Sequence, residues 1–265
     1  MNLFSLTIII FLGLVIGSFL NVVIYRVPLI LAGGKNIGLC YPKSQCPKCH
    51  NILKKKHNIP LLSFIIYRGH CAYCHGKISW RYPCVEMSLC IVYVLGWYVF
   101  QNQPYELLGY LTLVSFLMAL SCIDLDTKML PDCLTLPLIV LGIFFNINEG
   151  FVSIGESVIG GIGGFIFFTL FSYIIGWRKG SPALGGGDVK LFAAIGAWFG
   201  LISLPYIAFT ASLLTLITLA FLTLINSQKI SIRVPFGPGI SLATLIYLTF
   251  IYSNFFEWMN VFNFI

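Results

Sequence analysis

Two aspartates are the residues best suited to catalysis in this chain. Asp124 and Asp188 each begin a polar break between long apolar runs, and Asp188 follows Gly185, Gly186 and Gly187. Acidic side chains are costly within a lipid-embedded protein and usually mark a functional site. Two neighbouring carboxyls can share one proton, so that one activates water while the other donates to a scissile carbonyl. The pattern therefore predicts acid/base chemistry by the pair, with neither aspartate fixed in one role.

Asp126 and Asp132 compete with Asp124 for the place beside Asp188, because all three lie in the same polar break. Asp132 follows Pro131 and could instead cap the next helix by accepting backbone N–H bonds. Asp126 could be a solvated loop acid. Spacing alone leaves the choice among the three open.

Three further residues near Asp188 could support the chemistry. Gly185 and Gly187 lack a Cβ, so the backbone there can lie close to an extended substrate. Lys190 could favour the charged form of Asp188 as a nearby cation. An equally good interpretation makes Lys190 an anchor at the membrane interface.

Two CxxC motifs lie in the largest polar segment of the chain, residues 26–85. They supply four thiols, those of Cys46, Cys49, Cys71 and Cys74, and paired CxxC motifs are typical of tetrahedral zinc sites. Disulfides or free thiols are the alternative, and disulfides are disfavoured in a reducing cytoplasm. Four sulfurs leave no open position on zinc, so we expect one structural ion. A flanking histidine could replace one cysteine; the candidates are His50, His70 and His75.

The composition indicates a membrane protein. The chain is 58% apolar and 9% charged, whereas a soluble domain carries about 25% charged residues. Eight apolar runs are candidate spans: residues 3–24, 86–101, 106–123, 133–147, 154–177, 188–200, 203–225 and 236–256. A break at residues 200–205 is required because one helix over 188–225 would be about 57 Å long. The expected fold is an all-α polytopic membrane protein of about eight transmembrane helices with a small zinc-binding cytoplasmic module.

The distribution of charge predicts the topology. With the N-terminus outside, all 16 Lys and Arg fall on or next to the inside, ten of them within residues 26–85. This asymmetry is what the positive-inside rule requires. The net charge of +7 is therefore a topology signal, and nucleic acid is not an expected partner. The same topology places Asp124 and Asp188 at the cytoplasmic membrane face.

The chain divides into three parts on this basis. Residues 1–25 form a retained first span, residues 26–85 the cytoplasmic zinc-binding module, and residues 86–265 the transmembrane catalytic domain. Within the fifth span, four glycines are expected to let helices pack closely in lipid; they are Gly160, Gly161, Gly163 and Gly164.

The motifs, taken in order, resemble those of bacterial type IV prepilin peptidases, members of the GxGD aspartyl protease family. The similar segments are residues 17–28, the paired CxxC motifs, residues 123–124, 130–137, 185–191 and 235–238. Leu184 departs from the pattern, since the family often has Met at that position. The resemblance runs over about residues 10–240.

The resemblance implies an enzyme with two activities at the bacterial inner membrane. One removes the basic leader from type IV prepilin or pseudopilin precursors on the cytoplasmic side, and the other methylates the new N-terminal amine with S-adenosylmethionine. It selects Asp124 and Asp188 as the catalytic pair and the four CxxC cysteines as zinc ligands. The resemblance assigns no residue to the methyl-transfer site. It also does not indicate whether the precursor protein serves pili, type II secretion or DNA uptake.

Three other functions remain open on the sequence. A protease-only relative would have lost methyl transfer, although the intact cysteine module disfavours this. A transporter would place its acids near the bilayer midplane and often shows internal repeats, neither of which is apparent. A membrane-anchored zinc scaffold would tolerate loss of both aspartates.

Overall fold

The computed structural model describes residues 3–34, 37–46, 48–100, 102–177, 180, 182–225 and 234–252. The helices are α1 (Leu3–Leu31), α2 (Leu62–Ile66), α3 (Arg81–Val99), α4 (Pro104–Thr127), α5 (Asp132–Asn146), α6 (Ile154–Gly176), α7 (Gly186–Phe199), α8 (Ser203–Ile225) and α9 (Gly237–Ile246), which continues as a π-helix, Tyr247–Tyr252. Several predicted inside cations lie outside the described residues: Lys35, Arg178, Lys179, Lys229 and Arg233.

The described ranges confirm the all-helical fold. Their extended structure is limited to two isolated bridges in the cysteine module, Gln45–Ile52 and His70–Lys77. A helix occupies each of the eight predicted spans, and the chain breaks between Phe199 and Ser203 as expected. Among the described residues, five helices are long and apolar enough to cross a membrane: α1, α3, α4, α6 and α8. Helices α5 and α9 are shorter apolar helices, of 15 and 10 residues, and α7 has 14 residues.

The chain forms two compact units, Met1–Asn102 and Gln103–Ile265. In the first, α1 packs along α3 because glycines remove the side chains between them. A Cβ on Gly13 would lie 2.8 Å from the Cα of Cys90, and one on Gly17 would lie 2.8 Å from the Cα of Glu86. The segment between α1 and α3 contains α2 and both CxxC motifs.

In the second unit, α7 is the central helix and packs against α5 and α6. It is buried from Val189 to Phe199 except at Lys190, which is the pattern of a helix enclosed on all sides. The backbones of Gly160 in α6 and Gly196 in α7 touch where any Cβ would collide with the opposite carbonyl. The glycines of α6 therefore do serve close packing.

A buried amide fixes the far end of α7. Asn146, at the end of α5, donates to the carbonyls of Ala197 (2.9 Å) and Trp198 (3.1 Å). Its Oδ1 accepts from the backbone N–H groups of Phe151 (2.9 Å) and Val152 (3.3 Å). Four partners for one fully buried amide satisfy it without water and hold α7 against the α5–α6 connection.

Candidate active site and metal centre

Asp124 lies in the last turn of α4 and is 5% exposed. Helix α4 ends three residues later, at Thr127, since Lys128 takes the left-handed conformation and its N–H bonds to the Asp124 carbonyl at 2.8 Å. The Asp124 side chain accepts one long-range hydrogen bond: its Oδ2 lies 2.8 Å from the N–H of Gly237 at the start of α9. Gly237 lies in the segment 235–238, which resembles a family motif, but no role for this residue was predicted. Contact with an aspartate 113 positions away leaves no local signal.

Asp188 lies in the first turn of α7, where helix starts favour acids. Its carboxyl lies beside the backbone of Gly185 and interacts electrostatically with the carboxyl of Asp124. The two aspartates chosen from the sequence are thus near enough to influence each other's ionisation, and their catalytic role stays a prediction. A shared proton is the arrangement that two such neighbouring carboxyls favour.

The preceding loop is fixed by a side chain of α6. Ser172 Oγ donates to the carbonyl of Leu184 (3.1 Å) and accepts from its N–H (2.9 Å). The residue that differs from the family pattern is therefore held through its backbone. The ring of Phe192 in α7 stacks on that of Phe168 in α6, with centroids 3.9 Å apart, and lies tilted at 6.2 Å from the ring of Phe236, the residue before α9.

The glycines of this loop have different surroundings. A Cβ on Gly185 would lie 2.9 Å from Oδ2 of Asp188, and one on Gly187 would lie 2.7 Å from the Cβ of Leu130. Gly187 therefore lets α7 pack on the connection between α4 and α5, while Gly185 leaves room for the carboxyl of Asp188. A Cβ on Gly186 would meet nothing within 4 Å. It stays a prediction that the backbone at Gly185 and Gly187 lies close to an extended substrate.

The two competing acids have other positions. Asp132 is the first residue of α5 and makes no side-chain cap. Its oxygens lie instead 2.6 and 2.7 Å from Lys190 Nζ, so Lys190 forms an ion pair with Asp132. Asp126 is exposed and lies two residues after Asp124, on a different side of α4.

The four CxxC cysteines form the second site. Their sulfurs all lie within 4.8 Å of one another, and those of Cys46 and Cys74 are 3.9 Å apart. A tetrahedral zinc with bonds of about 2.3 Å requires sulfurs about 3.8 Å apart, so the donor set fits the ion. In the described part of the chain, no histidine joins this cluster.

The two CxxC motifs use the same backbone turn. The N–H of His50 bonds to the Cys46 carbonyl at 2.9 Å, and that of His75 to the Cys71 carbonyl at 3.0 Å. Both histidines take positive φ, 56° and 53°, which reverses the chain after each pair of sulfurs. Their role in the fold is therefore to shape the turns.

Local hydrogen bonds prepare one sulfur to ionise. The N–H groups of Cys49 and Lys48 and the neighbouring thiols lower the pKa of Cys46 to about 6 against the effect of burial. The N–H of Gly76 also favours the Cys74 thiolate, but burial and the other three sulfurs raise the pKa of Cys74 to about 11. Four crowded thiols cannot all ionise unless a cation compensates their charge, which is what a bound metal supplies.

Comparisons with known proteins agree with these motifs. The family model described as the bacterial Peptidase A24 N-terminal domain matches residues 11–100, and that of the type IV leader peptidase family matches residues 111–220. A protein of Neisseria gonorrhoeae named prepilin leader peptidase/N-methyltransferase is 36% identical, with 90% of this chain and 88% of the relative covered.

Two more relatives carry the same name. That of Dickeya chrysanthemi is 38% identical, with 88% of both chains covered. That of Klebsiella pneumoniae is 41% identical, with 76% of this chain and 87% of the relative covered. No solved structure matches the chain significantly. The predicted resemblance is confirmed, and the chain belongs to the type IV leader peptidase family.

Proposed function

We propose that this protein is a membrane-embedded aspartyl endopeptidase that removes the basic leader from type IV prepilin-like precursors and then N-methylates the new N-terminal residue. The observation that carries the proposal is the approach of Asp124 and Asp188 at the ends of α4 and α7. It is supported by relatives that cover most of the chain and are named for both activities.

The dyad acts on water and the scissile carbonyl. One carboxylate removes a proton from water, the resulting hydroxide adds to the carbonyl carbon, and the protonated partner donates to the carbonyl oxygen. Collapse of the tetrahedral species breaks the C–N bond, and a dyad proton goes to the leaving amine. The Gly237 N–H holds Asp124 by one oxygen, so that its other oxygen is available for proton transfer.

Methyl transfer follows at the amine that cleavage releases. The amine nitrogen forms a bond to the methyl carbon of S-adenosylmethionine, the sulfur leaves as a neutral thioether, and one amine proton goes to solvent or a base. We assign no residue of this chain to binding of the methyl donor.

The cysteine module would hold one zinc ion through Cys46, Cys49, Cys71 and Cys74. With four sulfurs bound, the ion has no free position and supplies stability to a segment too small for a large core. We propose the division into a first span (1–25), this module (26–85) and a transmembrane peptidase domain (86–265). The module would guide the substrate or shape the methyl-transfer site.

Orientation in the inner membrane follows from the basic residues. An outside N-terminus places residues 26–85 and the aspartate pair on the cytoplasmic side. The substrate's apolar helix then lies in the bilayer with its scissile bond at the cytoplasmic interface. Membrane lipid and prepilin or pseudopilin precursors are the proposed partners, and nucleic acid is not.

The test is to incubate the purified protein with a prepilin and S-adenosylmethionine and to weigh the products. We expect a trimmed product whose N-terminus carries one added methyl group. A trimmed but unmethylated product would identify a protease-only relative, and an intact prepilin would contradict the proposed peptidase. Replacing Cys46 or Cys71 by Ser should release zinc and destabilise the module; unchanged cleavage and methylation without zinc would contradict a role for the ion.

A further inference from the structure

The cysteine module, residues 26–85, is strongly positively charged. Residues 26–85 contain ten Lys and Arg and no Asp or Glu. Such a segment is attracted to anionic surfaces and repels cationic ones. It would repel the basic leader of the proposed substrate, so any guidance it gives acts on another part of that substrate, and its charge favours an anionic partner.

One side of the module is apolar and exposed. Helix α2 leaves Leu62, Ile65 and Ile66 exposed by 56%, 68% and 68%, and Trp80, next to α3, is exposed by 72%. The ring of Phe64 meets that of Trp80 edge-on at 4.9 Å, which joins α2 to the start of α3. We call Leu62, Ile65, Ile66 and Trp80 the α2 patch.

A hydrogen bond sets the depth of this patch relative to α3. The N–H of Leu61, just before α2, donates to Oε2 of the buried Glu86 at 2.9 Å. Glu86 is five residues past Arg81, which is about 7.5 Å along the helix. Helix α3 has 19 residues and needs nearly its whole length to cross a hydrocarbon core of about 30 Å. The start of α2 therefore lies at the membrane boundary.

The backbone of Leu61, just before α2, has an unusual conformation. Leu61 has a φ of 56° and ψ of −48°, which is unfavourable for a branched side chain. The Glu86 carboxylate holds this backbone in place, and α2 leaves it in a fixed direction beside α3. Strain of this kind persists where the surrounding structure requires it.

We propose that the α2 patch is a membrane-docking surface that inserts into the headgroup–acyl boundary of an anionic leaflet. Exposed tryptophan and aliphatic side chains at this depth match the composition of an interface. An exposed cation flanks the patch, since Arg68 follows α2. Its charge complements the lipid phosphates, and a basic residue near such a surface adds to binding. The inference is independent of the peptidase and methyltransferase activities.

The test is photo-crosslinking of the full chain in nanodiscs. Three variants each carry one benzophenone-bearing phenylalanine. It replaces Ile65 in the first, Ile66 in the second and Ile52 in the control. Ile52 is a matched position because it is 59% exposed in the same module but lies in the first CxxC turn. Adducts are identified by mass spectrometry in discs of phosphatidylglycerol and of phosphatidylcholine, and zinc content checks that each protein is folded.

We expect at least about fivefold more lipid adducts at positions 65 and 66 than at position 52. The yield at 65 and 66 should be several-fold higher in phosphatidylglycerol discs than in phosphatidylcholine discs. A second variant, Arg68→Gln, should reduce the preference for the anionic lipid while keeping the adducts at 65. The proposal would be overturned by equal lipid labelling at 52 and 65, or by adducts to peptide instead of lipid. It would also be overturned by equal adduct yields in the anionic and the zwitterionic discs.

Discussion

Gly237→Ala should damage catalysis by displacing one carboxylate. The added Cβ would lie 2.8 Å from Oδ2 of Asp124, whereas a carbon–oxygen contact needs about 3.3 Å. The oxygen must therefore move by roughly 0.5 Å, and its 2.8 Å hydrogen bond to the Gly237 N–H is weakened. Misplacement by about 1 Å can cost about 100-fold in rate, and a hydrogen bond to a charged group contributes about 1.5–3 kcal/mol.

We therefore expect the kcat/KM of prepilin cleavage to fall by about 10- to 100-fold, mostly through kcat. The fold should survive, because α9 begins at Gly237 without a positive φ. The assay compares initial cleavage rates of the purified variant and wild type in detergent, together with thermal unfolding.

Gly186→Ala is the matched control, since its Cβ would meet nothing within 4 Å in the first turn of α7. It should cleave at nearly the wild-type rate. Cleavage by Gly237→Ala within threefold of wild type, or an equal loss in Gly186→Ala, would refute the proposed contact between Gly237 and Asp124.

Three further substitutions test the scaffold around the site. Asn146→Ala removes four hydrogen bonds from a buried amide and should lower the free energy of unfolding by about 2–4 kcal/mol, seen as an earlier thermal transition; an unchanged transition would contradict its role as a fixed contact. Gly160→Leu would overlap the backbone of Gly196 and should leave little folded protein, whereas a stable variant would mean that α6 and α7 do not touch there. Lys190→Met should leave the pH profile of cleavage unchanged, because the ammonium is paired with Asp132; a shifted profile would restore the idea that Lys190 tunes Asp188. In a double-mutant cycle with Asp132→Asn, this exposed pair should show coupling below about 1 kcal/mol.

The helices could be predicted because lipid imposes a simple constraint. A helix lies in each of the eight apolar runs, and the length limit alone required the break that separates α7 from α8. The start of α7 at Gly186 is close to the predicted residue 188. The end of the first helix was harder to predict, since α1 continues to Leu31, past the apolar run of residues 3–24. There Arg26 donates to the carbonyls of Gly38, Leu39 and Pro42, and such contacts have no local pattern.

The candidate sites show the same difference between local and long-range information. Paired CxxC motifs are local, so the four-sulfur cluster could be expected in advance. The choice of Asp124 over Asp126 and Asp132 came from the family resemblance and stays a prediction; burial of Asp124 and its electrostatic interaction with Asp188 support it. The partners of Gly237, Lys190 and Glu86 depend on tertiary packing, which no spacing rule supplies.

The most direct test of the account is cleavage by the two isosteric variants Asp124→Asn and Asp188→Asn. Each is given a full-length prepilin and, separately, a leader-free pilin as substrate for methylation alone. The dyad predicts that both variants leave the full-length prepilin uncut, while methylation of the leader-free pilin persists and shows that the proteins are folded. Prepilin cleavage that survives Asp124→Asn or Asp188→Asn would contradict the central claim, and survival in Asp124→Asn alone would move the partner role to Asp126 or Asp132.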